Sequence, residues 1–341
     1  MIKAKQTIFT EGARGSLTER LKKKFELAKG KTSIQHYGIG IKEVWEVPEG
    51  HPHFKEGFVK HTVGWPLTSD VYGGSFMYHM KPNKILCGLV VGLDYKNPYL
   101  NPYEEFQRLK THPDVRKYLE GGECISYGAR VLNEGGYYAI PKLTFPGGML
   151  AGCSAGFLNV AKIKGTHNAM KTGMLAAEEI FDRHEDENLS GSELTNYEKR
   201  VHDSWVVTEM KKTRNFKGGF EKGLWYGLAH GYVVTQLTKG KEGWTLPHTK
   251  PDSTYTQPKS AHKPIDYPKH DGKLTFDLLE NLQRSGTNHD HDQPSHLKIK
   301  QGMESVPELS WTKYGAPEER FCPARVYEYV PQEDTSKPPK L

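Results

Sequence analysis

The sequence predicts a mixed α/β protein of two or three domains with a largely antiparallel sheet in its first half. Three observations predict it. A chain of 341 residues is long enough to bury more than one core. Between Tyr37 and Leu93, short runs rich in β-branched and aromatic residues are punctuated by Pro, Gly and Asp, as strands joined by turns are. Glycine-rich turns that lead into helical patterns occur near Gly12 and again near Gly152.

Taken in order, the chain opens as strand, turn and helix: Thr7–Thr10, Glu11–Ser16, then Leu17–Ala28, with Ser16 and Glu19 spaced as a capping box. Strands are expected at Tyr37–Val47, Phe58–Trp65, Gly74–His79 and Ile85–Leu93. Asn101-Pro starts a helix that runs through Lys110, and His112-Pro starts another that ends at Gly121-Gly122. Strand signals resume at Ile125–Val131, Tyr137–Ile140 and Met149–Ala151. A helix follows from about Thr166 to Asp182, with Ala169, Met170, Gly173, Ala176, Ala177 and Ile180 on one face. A second long helix is expected over Asn196–Lys212, with Trp205 on its apolar side. Beyond Thr245 the composition shifts to Pro, His, Lys and Asp, and Glu333–Leu341 reads as a disordered tail.

Composition narrows the function classes. Apolar residues at 36% and charged residues at 26% describe a soluble or peripheral protein, and the 21 Pro and 35 Gly imply many turns. The formal charge of +6 suits an anionic membrane face or an acidic partner. Nucleic-acid binding would need clustered Lys and Arg among stacking aromatics, and Lys22–Lys24 and Lys211–Arg214 are only short helix-face runs. Cys87, Cys124, Cys153 and Cys322 lie far apart with no CxxC pair, which points to a reducing compartment. No signal peptide precedes Thr7, so the chain is either cytosolic or begins upstream of Met1.

No segment reaches the ~18–20 continuous apolar residues of a spanning helix. Gly223–Leu237 comes nearest, but it is short, contains His230 and is edged by Lys222, Lys239 and Lys241. Trp225, Tyr226 and Tyr232 would let it lie along a bilayer surface, and a buried core helix is the competing reading.

The strongest local motif is Phe145-Pro-Gly-Gly-Met-Leu-Ala-Gly-Cys-Ser-Ala-Gly, followed by Gly165-Thr-His-Asn-Ala-Met-Lys-Thr-Gly. A strand that ends in small residues and feeds a helix brings backbone N–H groups to an anionic or polar cofactor, so a flavin or nucleotide site is favoured over close packing alone. Gly38-Ile-Gly40 lacks the third glycine of a dinucleotide loop and reads as strand. His289-Asp-His-Asp-Gln-Pro-Ser-His296 has metal-ligand residue types, but a polar loop is the commoner case. Tyr72-Gly-Gly-Ser-Phe exposes backbone groups that could meet a flat apolar ligand, although from the sequence alone a bulge or turn is the better reading. Arg320-Phe-Cys-Pro holds the only Cys-Pro pair, a frequent ending of iron–sulfur ligand runs and weak alone.

Together these segments carry a resemblance. Tyr72-Gly-Gly-Ser-Phe, Val91-Gly-Leu-Asp-Tyr-Lys-Asn-Pro-Tyr, Leu132-Asn-Glu-Gly-Gly, Thr166–Glu178, Ser285-Gly-Thr-Asn-His-Asp-His-Asp-Gln-Pro and Arg320-Phe-Cys-Pro-Ala resemble the electron-transferring-flavoprotein:ubiquinone oxidoreductase family, in that family's order from about Thr7 to Val330. The resemblance implies an FAD-dependent oxidoreductase fold with an antiparallel-sheet quinone domain and a partial ferredoxin-like cluster domain. It also implies FAD, a [4Fe–4S] cluster and ubiquinone as cofactors and substrate. The electron-transferring flavoprotein is the implied partner, and the matrix face of the mitochondrial inner membrane the implied location. Divided on that pattern, residues 1–30 and 121–190 belong to the FAD part, 31–120 and 191–245 to the quinone and membrane-surface part, and 246–341 to the cluster part.

Carried over by position, Gly73 and Gly74 match the quinone contact, and Glu11 and Gly12 lie in the second FAD turn. Gly152, Cys153, Ser154, Gly156, Gly165 and Thr166 match the flavin turn and helix start. Cys153-Ser154 stands where many related flavoproteins carry an Asp, so backbone contact is expected there. Cys322 matches the first cluster ligand; Cys87, Cys124 and Cys153 match none, and no catalytic side chain is implied. Two departures matter: the family's GxGxxG pyrophosphate turn and its closing C-x2-C-x2-C run are both absent. The chain is therefore expected to be a fragment that binds no cluster, holds FAD weakly or not at all, and keeps Cys322 as a free thiol. A non-catalytic remnant that acts as a quinone- or membrane-binding module is the alternative, and a soluble flavin hydroxylase a third reading.

Overall fold

β1 (Thr7–Phe9) leads through Glu11–Gly15 into α1 (Ser16–Lys24) in the computed structural model, which describes residues 3–294, 297–334 and 338–341. The cap of α1 differs from the expected box. Gly15 takes the cap position, and the Glu11 carboxylate accepts from the N–H groups of Leu17 (3.2 Å) and Thr18 (2.6 Å) and from the Thr18 hydroxyl (2.6 Å). A carboxylate that reaches back from the preceding turn replaces the Ser16 hydroxyl and favours the positive end of the helix.

The next strands follow the expected pattern: β2 (Tyr37–Glu46), β3 (Val59–Thr62), β4 (Gly73–Met80) and β5 (Lys84–Gly92). Gly38 and Gly40 lie inside β2, a strand and not a phosphate loop. Two helices come after them, α2 (Pro102–Thr111) and α3 (Pro113–Leu119). Asn101 caps α2 by accepting from Tyr103 and Glu104, and the His112 ring caps α3 by accepting from Asp114. β6 (Glu123–Asn133) completes a five-stranded sheet in the order β3-β4-β5-β2-β6, antiparallel at β3–β4 and β4–β5.

Beyond β6, Tyr137–Ala139 forms a 3₁₀ turn where a strand was expected, entered through Gly136 at a positive φ of 64°. β7 (Thr144–Phe145) and β8 (Gly148–Leu150) then form a hairpin, and β8 pairs in parallel with β1 in a three-stranded sheet.

α4 (Thr166–Asp182) has the expected ends but a different buried face. Asn168, Thr172, Leu175, Ala176 and Glu179 are inside, while Met170 is 65% exposed. The polar members can be inside because each has a partner: Asn168 donates to Phe157 O, Thr172 accepts from Gly152 N, and Glu179 accepts from Asn196 and Arg200. The second long helix is two helices, α5 (Thr195–Asp203) and α6 (Trp205–Lys212). Ser204 takes extended backbone between them and caps α6 at Val206 N, which turns Trp205 outward against the His167 ring. α7 (Leu224–Tyr232) continues into a π-helical turn over Val233–Leu237. After Thr254 the described residues hold mainly turns and short helices, among them α8 (Leu278–Gln283). Val330 and Lys340 close a bridge near the end.

These elements sort into two units, Met1–Gly38 with Val131–Thr254, and Ile39–Arg130 with Tyr255–Leu341. Each has its own core. Leu143, Met149, Leu150, Phe157, Tyr197 and Val206 centre the first. Ile41, Trp45, Ile85, Leu89, Phe106 and Phe276 centre the second.

Candidate functional site

In the first unit, the parallel pairing of β1 with β8 sets Phe9 opposite Leu150, and Ala151 N donates to Phe9 O at 3.2 Å. Both strands therefore end together, and the turns that follow them, Glu11–Gly15 and Gly152–Gly156, leave the sheet on the same edge. The carboxyl ends of parallel strands are where such sheets bind ligands. Gly152 sits at φ 61°, and a β-carbon there would lie 3.2 Å from Ala169 Cβ, so glycine suits both the backbone conformation and the close approach to α4. Its N–H donates to the Thr172 hydroxyl at 3.0 Å, which ties the turn to α4.

Two residues absent from the sequence reading of this site join it. Asn133 donates to Ala13 O at 2.9 Å, and Gln35 accepts from Gly135 N at 2.6 Å while its amide nitrogen occupies the space beside Gly156. Around these turns Asn133 Oδ1, Ser154 Oγ and Asn168 Oδ1 are buried without a hydrogen-bond partner among the described residues. Buried polar atoms are rarely left unsatisfied, so a polar ligand fits here. Glu11 offers such a ligand less, because its carboxylate is engaged by α1 and held below the usual carboxylate range by the Thr18 hydroxyl. Burial pushes the Cys153 thiol up, so it is a neutral group in the turn and no anion.

The outer face of α7 is the second feature of this unit. Trp225 is 77%, Tyr232 61% and Leu237 65% exposed, while Gly227 and Gly231 face inward onto Phe220 and Phe216. Lys222 lies 4.9 Å above the Tyr226 ring. No helix among the described residues is long and apolar enough to cross a membrane.

In the second unit, Gly73 and Gly74 open β4, opposite Val91 and Val90 of β5. β3 ends at Thr62 opposite Ser75, so both glycines lie past its last pair. A β-carbon on Gly74 would come within 2.4 Å of Thr62 O, and one on Gly73 within 2.2 Å of Val90 O. The sheet itself therefore excludes side chains at both positions.

Under this sheet lies a charge pair that the sequence reading missed. Glu43 and Lys110 are fully buried, with Lys110 Nζ 2.9 Å from both carboxylate oxygens. Asn281 (2.6 Å), Trp45 (2.8 Å) and Gln107 (3.2 Å) donate to the same carboxylate. Strict alternation in β2 puts Glu43 on the inward face with Ile39, Ile41 and Trp45, and that was the available signal.

Cys322 lies in a turn of this unit, 8% exposed, and its sulfur accepts from Val326 N at 3.4 Å. That arrangement fits one thiolate ligand. The other cysteines do not join it: burial pushes Cys87 and Cys124 up to about 12, and among the described residues no further metal-ligating side chains gather around Cys322. In the His289–His296 segment, Asp290 accepts from Asp292 N as a turn residue does, and Ser295 and His296 lie outside the described residues.

Residues 37–132 match a family model described as ETF-QO, ubiquinone-binding, and residues 272–341 one described as Electron transfer flavoprotein-ubiquinone oxidoreductase, 4Fe-4S. The chain belongs to that family. It is 52% identical to the Caenorhabditis elegans mitochondrial electron transfer flavoprotein-ubiquinone oxidoreductase, over 98% of this chain and 56% of that protein. It is 50% identical to the Homo sapiens mitochondrial protein of the same name, over 97% of this chain and 54% of that protein. The chain thus spans about half the length of the curated family members it matches. Among solved structures, a geranylgeranyl bacteriochlorophyll reductase-like protein from Thermoplasma acidophilum aligns at a TM-score of 0.45 and 17% identity, over 70% of this chain and 53% of that one. A score of that size adds nothing to the family assignment.

Proposed function

We propose that this chain is part of an oxidoreductase that passes electrons from reduced electron-transferring flavoprotein to ubiquinone, using FAD and a [4Fe–4S] cluster, on the matrix face of the mitochondrial inner membrane. The match of residues 37–132 to a ubiquinone-binding family model is the observation that carries the reading. The functional division follows the family pattern: 1–30 and 121–190 for FAD, 31–120 and 191–245 for quinone and membrane, and 246–341 for the cluster.

The residues of the first unit fit a flavin. Backbone of Gly152, Cys153, Ser154 and Gly156, the start of α4 at Gly165 and Thr166, and the turn at Glu11 and Gly12 would hold it, with Asn133 and Asn168 supplying free acceptors. A bound flavin supplies one- and two-electron chemistry, which no side chain here can supply. The protein's part is to orient it and to exclude water with Phe157 and Leu150 below the turn.

Gly73 and Gly74 would meet the quinone through backbone groups, since no side chain can intervene on either residue. The α7 face with Trp225, Tyr226 and Tyr232 would rest in the headgroup layer, where aromatic rings are favoured, and give access to a substrate dissolved in lipid.

Cys322 is the one cysteine suited to the cluster, and the remaining three do not fit it, so no step is assigned to the cluster in this chain. A non-catalytic quinone- or membrane-binding module is the second reading. Vesicle flotation tests the membrane face common to both readings. The chain should float with anionic vesicles, and Trp225→Glu with Tyr232→Glu should lower the bound fraction at least about fivefold. Equal flotation of the variant would refute the anchor.

A further inference from the structure

We infer that Lys211, Lys212, Lys239 and Lys241, gathered beyond the C-terminal end of α7, form a headgroup site for anionic phospholipid. The inference rests on the reading of α7 as a membrane-surface helix and adds the lipid class that its face selects. In sequence the two pairs of lysines are far apart, and each alone is a short basic run of the kind that is ordinarily solvated. The fold brings them together. Lys239 takes a left-handed φ of 52° and Gly240 one of 81°, so the chain turns just after the π-helical segment that ends at Leu237. The turn lays Gly240 on the end of α6, where a β-carbon would lie 2.5 Å from Lys211 O and 2.7 Å from Lys212 Cα. Lys239 and Lys241 flank that contact from one side, and Lys211 and Lys212 belong to the backbone on the other.

No acid cancels this charge. All four lysines are exposed, and none is in an ion pair among the described residues. Glu242, the acid of the same turn, faces inward. It is buried and accepts from Thr238 Oγ1 at 2.6 Å, Asn215 Nδ2 at 2.8 Å and Arg214 Nε at 3.3 Å. The cations border apolar surface. Tyr232 and Leu237 stand exposed at the same end of α7. Trp244, exposed as well, donates its indole N–H to His230 Nε2 at 3.3 Å, which holds the basic turn against the helix. Rings and a leucine at the acyl boundary, with ammonium groups at the level of the phosphates, are what a helix lying on an anionic bilayer presents. A soluble acidic protein would pair with the lysines but leave Tyr232 and Leu237 in water, so the bilayer is the better fit.

Sedimentation of the full chain with phosphatidylcholine vesicles, with or without about one-third phosphatidylglycerol, tests this. The parent chain should partition onto the anionic vesicles at least about twentyfold more strongly than onto the neutral ones. Added salt should shrink that preference. Combining Lys211→Gln, Lys212→Gln, Lys239→Gln and Lys241→Gln should cut it at least about tenfold and leave binding to neutral vesicles as in the parent. Removing the same charge from the exposed Arg20, Lys23, Lys24 and Lys31, on and just after α1, should leave most of the preference. Trp225→Glu with Tyr232→Glu is read on neutral vesicles, where the lysines contribute little, so a failed α7 reading shows there and not in the lysine variants. An unchanged preference in the four-lysine variant, or an equal fall in the α1 control, would overturn the headgroup site. Loss of binding to soluble polyglutamate with the lipid preference intact would overturn it too, in favour of an acidic protein.

Discussion

Lys110→Met should be among the most damaging single changes in the second unit. The substitution keeps most of the apolar stem and removes the charge that faces Glu43 at 2.9 Å. At an effective dielectric near 20 the lost attraction is about 6 kcal/mol, much of it offset in the native protein by the cost of burying both ions. What remains after truncation is a carboxylate with no exposure and no counter-charge, and breaking a buried pair in this way costs about 3–5 kcal/mol. The ammonium also leaves three aromatic faces, Phe276 at 4.8 Å, Trp45 at 5.3 Å and Phe106 at 5.4 Å. Glu43→Gln should cost less, since an amide still accepts from some of the donors while turning its own N–H₂ toward others. The double variant should be less damaged than the sum of the singles by a few kcal/mol, the coupling of the pair. The assay is urea unfolding read by hydrogen exchange in peptides covering Tyr103–Leu109, so that the second unit is followed by itself. A loss below about 1 kcal/mol for Lys110→Met would refute the argument that the pair is dry and mutually dependent.

Three further outcomes are expected. Gly74→Ala should lower stability by about 2–3 kcal/mol because its β-carbon would meet Thr62 O, whereas Gly173→Ala, with open space around it, should raise stability by up to about 1 kcal/mol; thermal melts of both variants check the contrast, and equal effects would remove it. Burial would raise the carboxyl of Glu209, but Lys162, His167 and Asn159 outweigh it and hold the group at about 2, so its stabilisation is full above its unfolded value near 4.5 and is lost as pH falls from there toward 2. Glu209→Gln should flatten that acid limb of the urea midpoint by about 1–2 kcal/mol, and an unchanged limb would contradict the assignment. Anaerobic iron–sulfur reconstitution of the purified chain should yield no four-iron cluster signal, and a stable stoichiometric cluster would require a ligand set other than the four cysteines considered.

Much of this architecture is legible in the sequence because local rules and tertiary structure agree. The strands from Tyr37 to Gly92 are cut by Pro and Gly, and the helices after Asn101 and His112 carry their own caps. Reading fails where distant partners override local pattern. Asn168, Thr172 and Glu179 look like a solvent face until Phe157, Gly152 and Arg200 satisfy them, which rotates the buried side of α4. Ser204 breaks a pattern that is helical on both sides because its hydroxyl competes for the next turn's N–H. At the turns that follow β1 and β8, the glycines were visible as motif, but Gln35 and Asn133 were not. Their part depends on reaching Gly135 and Ala13 across about a hundred residues of chain, which no spacing rule encodes.

The interleaving of the two units has a consequence for synthesis and for engineering. Each is assembled from two separated stretches, so β1 must wait for β8, and α2 must wait for Phe276, before either core can close. During translation the first stretch of each unit emerges without its mate and leaves apolar surface unmatched until the later stretch arrives. A single cut anywhere between Gly38 and Tyr255 leaves at least one unit in two pieces. Excising either unit as an independent domain would therefore require splicing its two stretches together, and chaperone dependence should be highest while residues 39–254 are the newest part of the nascent chain.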